Sequence, residues 1–125
     1  MDGLHLTADL HACRQQGAAM TDTDALRTLC LQAVRAAGLQ PVAEVFHRFP
    51  QGGGVTGVVL LAESHIAVHT WPELDAVTLD VYVCNYGRDN SANAQDLMDT
   101  LTLAFAPGRI ERHALQRGAV AGLRR

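Results

Sequence analysis

The order of elements written into this sequence predicts an α+β fold: a two-layer sandwich in which a mainly antiparallel sheet carries two helices on one face. Hydrophobic periodicity runs strand, helix, several strands, helix, strand. The central strands follow one another through short turns, which antiparallel neighbours permit and parallel ones do not. With 125 residues, 48% apolar and 18% charged, the chain reads as a single domain, 1–125, with a core of its own.

Gly3 to Cys13 reads as the opening strand, with Leu4, Leu6, Ala8 and Leu10 on one face. Thr21-Asp22-Thr23-Asp24 offers N-caps for a first helix. Leu26, Leu29, Cys30, Ala33, Val34 and Ala37 recur there at helical spacing, and Gly38 fits the stop. Pro41 to Phe49 reads as the second strand, Pro50-Gln51-Gly52-Gly53-Gly54 as a turn, and Val55 to Ala62 as the third strand. The glycine run lacks the lysine and helix that a phosphate loop requires. His65 to Trp71 continues as strand, and Pro72-Glu73-Leu74-Asp75 breaks it. Ala76 to Cys84 follows, with Val77, Leu79, Val81 and Val83 facing one way and Asp80, Tyr82 and Cys84 the other. Asn90-Ser91 caps a second helix whose buried stripe is Ala94, Leu97, Met98, Leu101, Ala104 and Phe105. Pro107-Gly108 ends it before a last strand, Arg109 to Leu115.

A formal charge of −3 argues against a nucleic-acid partner. Arg109, Arg112, Arg117, Arg124 and Arg125 make the C-terminus locally basic, which reads as a solvated tail beside a strand rather than a phosphate patch. Nothing resembles a signal peptide and no apolar run reaches membrane-span length, so no membrane partner is expected. Cys13, Cys30 and Cys84 are widely spaced and odd in number, which fits neither a disulfide framework nor a paired-cysteine zinc site. The expected location is the reducing cytoplasm.

The richest chemistry lies at Glu63-Ser64-His65-Ile66-Ala67-Val68-His69-Thr70-Trp71-Pro72-Glu73, in a chain without a single lysine. Four uses of this cluster compete. Its serine and histidines could simply be satisfied by neighbours on a strand. A metal could take His65, His69 and Glu73, but a strand spreads these ligands apart and the helical His-Glu-x-x-His pattern is missing, so no metal is expected. A serine hydrolase would want a Gly-x-Ser-x-Gly elbow, which Ala62-Glu63-Ser64-His65 is not. Fourth, the Ser64 hydroxyl could attack the Glu63 carbonyl, turning the amide into an ester that β-elimination then cuts. Residue 64 would become a pyruvoyl group, whose ketone forms a Schiff base with a substrate amine, as pyridoxal phosphate does. A lysine-free chain cannot hold pyridoxal phosphate in the usual way, yet it can make its own carbonyl.

Glu63-Ser64-His65-x-x-x-His69-Thr70-Trp71-Pro72-Glu73, followed by Asp80-x-x-x-Cys84, closely resembles the short, pyruvoyl-dependent prokaryotic S-adenosylmethionine decarboxylase proenzymes. The resemblance extends over most of the chain: Gly3-Leu4-His5-Leu6, Phe46-His47-Arg48-Phe49, Val55-Thr56-Gly57-Val58 and the closing Arg117-Gly118 all take part. It implies self-cleavage between Glu63 and Ser64 into a β chain, 1–63, and an α chain, 64–125. It further implies that Ser64 becomes the pyruvoyl cofactor, that His69 assists processing and that the Thr56 hydroxyl helps it. Cys84 would return a proton to the substrate α-carbon; thiols are mostly protonated at neutral pH. Phe49 would stack on the adenine or sulfonium region and Glu73 would bind the sugar hydroxyls. The small-molecule substrate would be S-adenosylmethionine, supplying aminopropyl groups for spermidine synthesis.

After Glu73 the family usually has an aromatic residue and a pair of alanines, where this chain has Leu74-Asp75-Ala76-Val77-Thr78-Leu79; after the cysteine it usually has glycine, where this chain has Asn85-Tyr86. These changes touch the expected pocket edge and keep a second substrate class open: arginine or ornithine, with Asp75 or Glu73 facing the distal cation. An unprocessed, non-catalytic paralogue is a third reading. Ser64 and His69 are an odd number of residues apart and should face opposite ways on a regular strand. A kink at residue 64, or a bend, is therefore expected to bring them together. A two-layer sandwich leaves one sheet face open, so a homodimer of processed protomers is expected, and the resemblance implies active sites shared across its interface.

Overall fold

A computed structural model describes residues 2–118; the basic residues Arg124 and Arg125 lie outside the described residues. Six strands and two helices follow the expected order: β1 (Gly3–His11), α1 (Thr23–Ala36), β2 (Pro41–Arg48), β3 (Val55–Leu61), β4 (Ser64–Trp71), β5 (Ala76–Cys84), α2 (Ser91–Ala104) and β6 (Arg109–Arg117). Short 3-10 turns at Ala18–Met20 and Pro72–Leu74 join them. Every strand pairing is antiparallel, in the order β2-β3-β4-β5-β1-β6.

The helix signals act as their chemistry requires. Asp22 accepts the Asp24 N–H at 2.9 Å and starts α1. The end of α1 is a Schellman motif: Gly38 takes a φ of 80°, and the Leu39 N–H reaches the Val34 carbonyl at 3.1 Å. At α2, Asn90 holds the N-cap position, but it is Asp89 whose carboxylate accepts the Ser91 N–H, at 2.9 Å. Hydrogen bonds from Ser91 hold the Asp89 carboxyl below the usual carboxylate range.

Both helices pack on one face of the sheet, α1 over β2 and β3 and α2 over β1 and β5. Leu6, Ala8, Leu10, Val59, Ile66, Val68, Val77, Leu79 and Val81 point at them and are buried. Each fully buried aliphatic side chain of this kind contributes roughly 1.5–3 kcal/mol relative to exposure. Alternation then fixes what the other face carries. All six histidines of the chain, His5, His11, His47, His65, His69 and His113, share that open face.

The strands depart from expectation at their ends. The opening strand stops at His11 because Ala12 takes a φ of 55°. The apolar run through β3 also conceals a hairpin. Leu61 pairs with Ser64, so Ala62 and Glu63 alone make the turn and β4 begins at Ser64 itself.

Candidate active site

Glu63 sits in that turn with a φ of 57°, the left-handed region that a residue with a Cβ enters at a cost of order 1–3 kcal/mol. The peptide bond to Ser64 therefore joins a strained turn residue to the first residue of a strand. The Ser64 Oγ accepts the Cys84 N–H from the neighbouring strand at 3.0 Å. The Cys84 Sγ in turn accepts the Tyr86 N–H at 3.4 Å, and Asn90 Nδ2 donates to the Cys84 carbonyl at 2.9 Å. Cys84 is 8% exposed and lines a cavity of about 480 Å³ with Glu63, Tyr82 and Tyr86. The other two thiols are sealed in the core: burial pushes Cys13 up and Cys30 up to about 12.

The far end of β4 carries a second group. Thr56 and His69 are directly paired across β3 and β4, and the Thr56 Oγ shares a hydrogen bond with His69 Nδ1 at 3.0 Å. The imidazole stacks on Trp71, with ring centroids 6.4 Å apart. Phe49, Thr56, His69, Trp71 and Glu73 line a cavity of about 470 Å³. It is held together from behind. The Thr70 hydroxyl accepts the Val55 N–H at 2.8 Å and donates to the Met20 carbonyl at 2.7 Å, tying β3, β4 and the turn before α1 into one unit.

The expected site residues thus fall into two half-sites. Glu63, Ser64 and Cys84 meet at one end of β4; Phe49, Thr56, His69 and Glu73 meet at the other. The five residues from Ser64 to His69 span roughly 16 Å of extended strand. The expected meeting of these two side chains within one chain does not occur. The bend lies at Glu63, before the serine, so it turns β3 into β4 without rotating Ser64 towards His69. Asp75 is corrected as well: its carboxylate accepts from the Gln16 side chain and lines neither cavity, so it is not aimed at a substrate's distal cation.

Three aromatic neighbours gained no role from sequence reasoning: Trp71, Tyr82 and Tyr86. Trp71 is 43% exposed although it is the chain's one tryptophan, and that exposure marks it as a contact residue. Tyr82 stacks on His65 at 5.5 Å, and His5 meets its edge at 6.1 Å. Alternation already placed Tyr82 beside Cys84, so that signal was present.

A serine hydroxyl held by a backbone N–H, next to a left-handed residue's carbonyl and near a thiol, is a set of groups suited to a self-made carbonyl group. A family model described as S-adenosylmethionine decarboxylase matches residues 4–118. The chain is similar to the S-adenosylmethionine decarboxylase proenzyme of Aquifex aeolicus, 38% identical over 94% of this chain and 82% of that protein. The proenzyme of the same name from Methanococcus vannielii is 34% identical, over 94% and 91% of the two chains. Among solved structures, the crystal structure of the adenosylmethionine decarboxylase from Aquifex aeolicus superposes with a TM-score of 0.81 at 35% identity, covering 94% of this chain and 92% of that one.

Proposed function

Since this chain belongs to the S-adenosylmethionine decarboxylase family, we infer that it is a carboxy-lyase that removes the carboxyl group of S-adenosylmethionine and so supplies aminopropyl groups for spermidine synthesis. The arginine or ornithine alternative finds no support: the relatives described above are named for S-adenosylmethionine, and Asp75 is engaged elsewhere.

The protein is made as a proenzyme that cuts itself between Glu63 and Ser64, leaving a β chain of 1–63 and an α chain of 64–125. The observation that carries this reading is the Ser64 hydroxyl held by the Cys84 N–H beside the left-handed Glu63. The hydroxyl needs no rotation out of a packed core to reach the neighbouring carbonyl, and relief of the turn's strain favours the ester. The pyruvoyl group formed at residue 64 supplies a ketone that condenses with the substrate amine and draws electrons from the departing carboxylate. Cys84 holds the proton for the substrate α-carbon at Sγ, sheltered from bulk water, and the Tyr86 N–H stabilises the sulfur as that proton leaves. Phe49 and Trp71 provide aromatic surfaces for the nucleoside, and Glu73 accepts hydrogen bonds from its sugar hydroxyls. His69, oriented by Thr56, is the base for the elimination.

That last role requires a second copy. Within one chain His69 stands at the wrong end of β4, whereas a two-fold pairing that set the β3–β4 turn of each protomer beside its partner's Thr56–His69 corner would supply the base twice per dimer. We therefore place the complete site between two protomers. A cytoplasmic location fits three cysteines that are all free; among the described residues no helix is long and apolar enough to cross a membrane.

Co-expression tests the shared site. Ser64→Ala and His69→Ala chains should each remain full length alone on denaturing electrophoresis. Expressed together, they should yield cleaved fragments from the His69→Ala chain only, because its Ser64 meets an intact partner imidazole. No fragments from the mixture would place processing within one chain and sink the shared site. A wild-type chain that stays full length after long incubation would instead favour the non-catalytic paralogue.

A further inference from the structure

On the helix-covered side of the cleavage turn, Ala62 and Ser64 share a cavity of about 190 Å³ with Arg88 and Asn90, at the loop leading into α2. Arg88 is exposed, and no ion-pair partner for it is found among the described residues. Asp89, its neighbour, is already committed to the Ser91 N–H. The cavity on the other side of the same turn is lined by Glu63, Tyr82, Cys84 and Tyr86 and contains no cation. Among the described residues, Arg88 is thus the one positive charge lining either cavity beside the Glu63–Ser64 bond.

Self-cleavage changes the charge at this spot. The Ser64 Oγ bonds to the Glu63 carbonyl carbon as the C–N bond breaks, and the nitrogen takes the hydroxyl proton. The Ser64 α-proton then leaves to a base and the Cβ–Oγ bond breaks, its electron pair staying on oxygen. Water hydrolyses the dehydroalanine left at residue 64 to the keto group, releasing ammonia. The former Oγ therefore ends as a carboxylate oxygen of Glu63, and that atom already accepts the Cys84 N–H at 3.0 Å before cleavage. Glu63 now carries two carboxylates, side chain and terminus, a pair that repels itself unless a cation stands near.

We propose that Arg88, with the Cys84 N–H, anchors the new C-terminal carboxylate of Glu63, holding the severed β-chain end against α2 and out of the substrate cavity. This rests on the self-cleavage reading and extends it to the product of processing. Two other uses of Arg88 fit less well. An arginine on the substrate carboxylate would hold the ground state more tightly than a departing neutral carbon dioxide and would oppose decarboxylation. An arginine that stabilised the attacking oxygen would make cleavage itself depend on it, yet that oxygen already has a backbone donor.

The test compares Arg88→Gln in the active chain and in the uncleavable Ser64→Ala chain, at one protein concentration. Arg88→Gln should cleave at the wild-type rate on denaturing gels. Once cleaved, it should melt about 3 °C below cleaved wild type, the scale expected of one partly exposed charge pair, and high salt should shrink that gap. In the Ser64→Ala background the same substitution should leave the melting temperature unchanged, and Arg88→Lys should recover part of the loss in the cleaved form. Equal losses in both backgrounds, or no loss in the cleaved enzyme, overturn the proposal. So does slowed cleavage, or a raised KM with unchanged melting. A wild-type chain that never cleaves overturns the self-cleavage reading first, and this one with it.

Discussion

Ser64 and Cys84 are joined through a backbone N–H, which separates two roles that a side-chain contact would have merged. The donor to the Ser64 Oγ is the Cys84 amide, and substitution of the thiol leaves that amide in place. Cys84→Ala should therefore still yield two chains on a denaturing gel, while kcat falls by about 10²–10³-fold with KM near wild type, as expected for loss of a proton donor. A variant that fails to cleave would show that the thiol itself takes part in processing. At this scale much was legible in the sequence. The motif around the serine and the alternation that ends in Cys84 pointed to Glu63, Ser64, His69 and Cys84, each of which lines a cavity at one end of β4 or the other. Which of them touch was not legible, since Oγ-to-amide bonds depend on register between strands that are 20 residues apart in the chain.

The elements hold the half-sites through a few close approaches. A Cβ on Gly54 would overlap the Thr70 carbonyl and crowd the Pro72 ring, so only glycine lets the start of β3 lie against the end of β4. Thr70 is the residue that ties this corner to Met20, and the corner positions Phe49 and Trp71. Gly54→Ala should cost about 1–3 kcal/mol in urea-induced unfolding and raise KM, since Phe49 and Trp71, the rings proposed to face the nucleoside, lose their backing. Unchanged stability would mean that the corner is not rigid. The sequence announced a turn at Pro50 to Gly54 but not which glycine was obligatory. The β3–β4 hairpin was hidden for a related reason. Ala62-Glu63 contains none of the usual glycine or asparagine turn signals, so the break was invisible in a run of apolar residues.

The whole molecule leaves one sheet face without a helix. Val45, Leu60, Trp71 and Leu115 are exposed on it among the histidines, apolar groups that a second sheet face would cover. Leu60, 47% exposed, stands opposite His65 and near the Ser64 end of β4, where cleavage is proposed. Leu60→Asp should leave the monomer folded by circular dichroism, shift sedimentation from dimer to monomer and abolish cleavage along with assembly. A cleaved monomer would separate processing from pairing. Most of the order of elements and most inward-facing residues were determined by the sequence alone, because periodicity, caps and the Gly38 stop are local and act within a few residues. The exceptions are the hidden β3–β4 turn and Ala104, which helical spacing turned inward but which is exposed, while Thr102 is buried. The tertiary structure alone decided that Ser64 and His69, five residues apart in the sequence, occupy different half-sites. The physical reason is that a strand's pleat and rise set direction and distance at once, so nearness in sequence became separation in space. Each of those residues found its partner on a neighbouring strand.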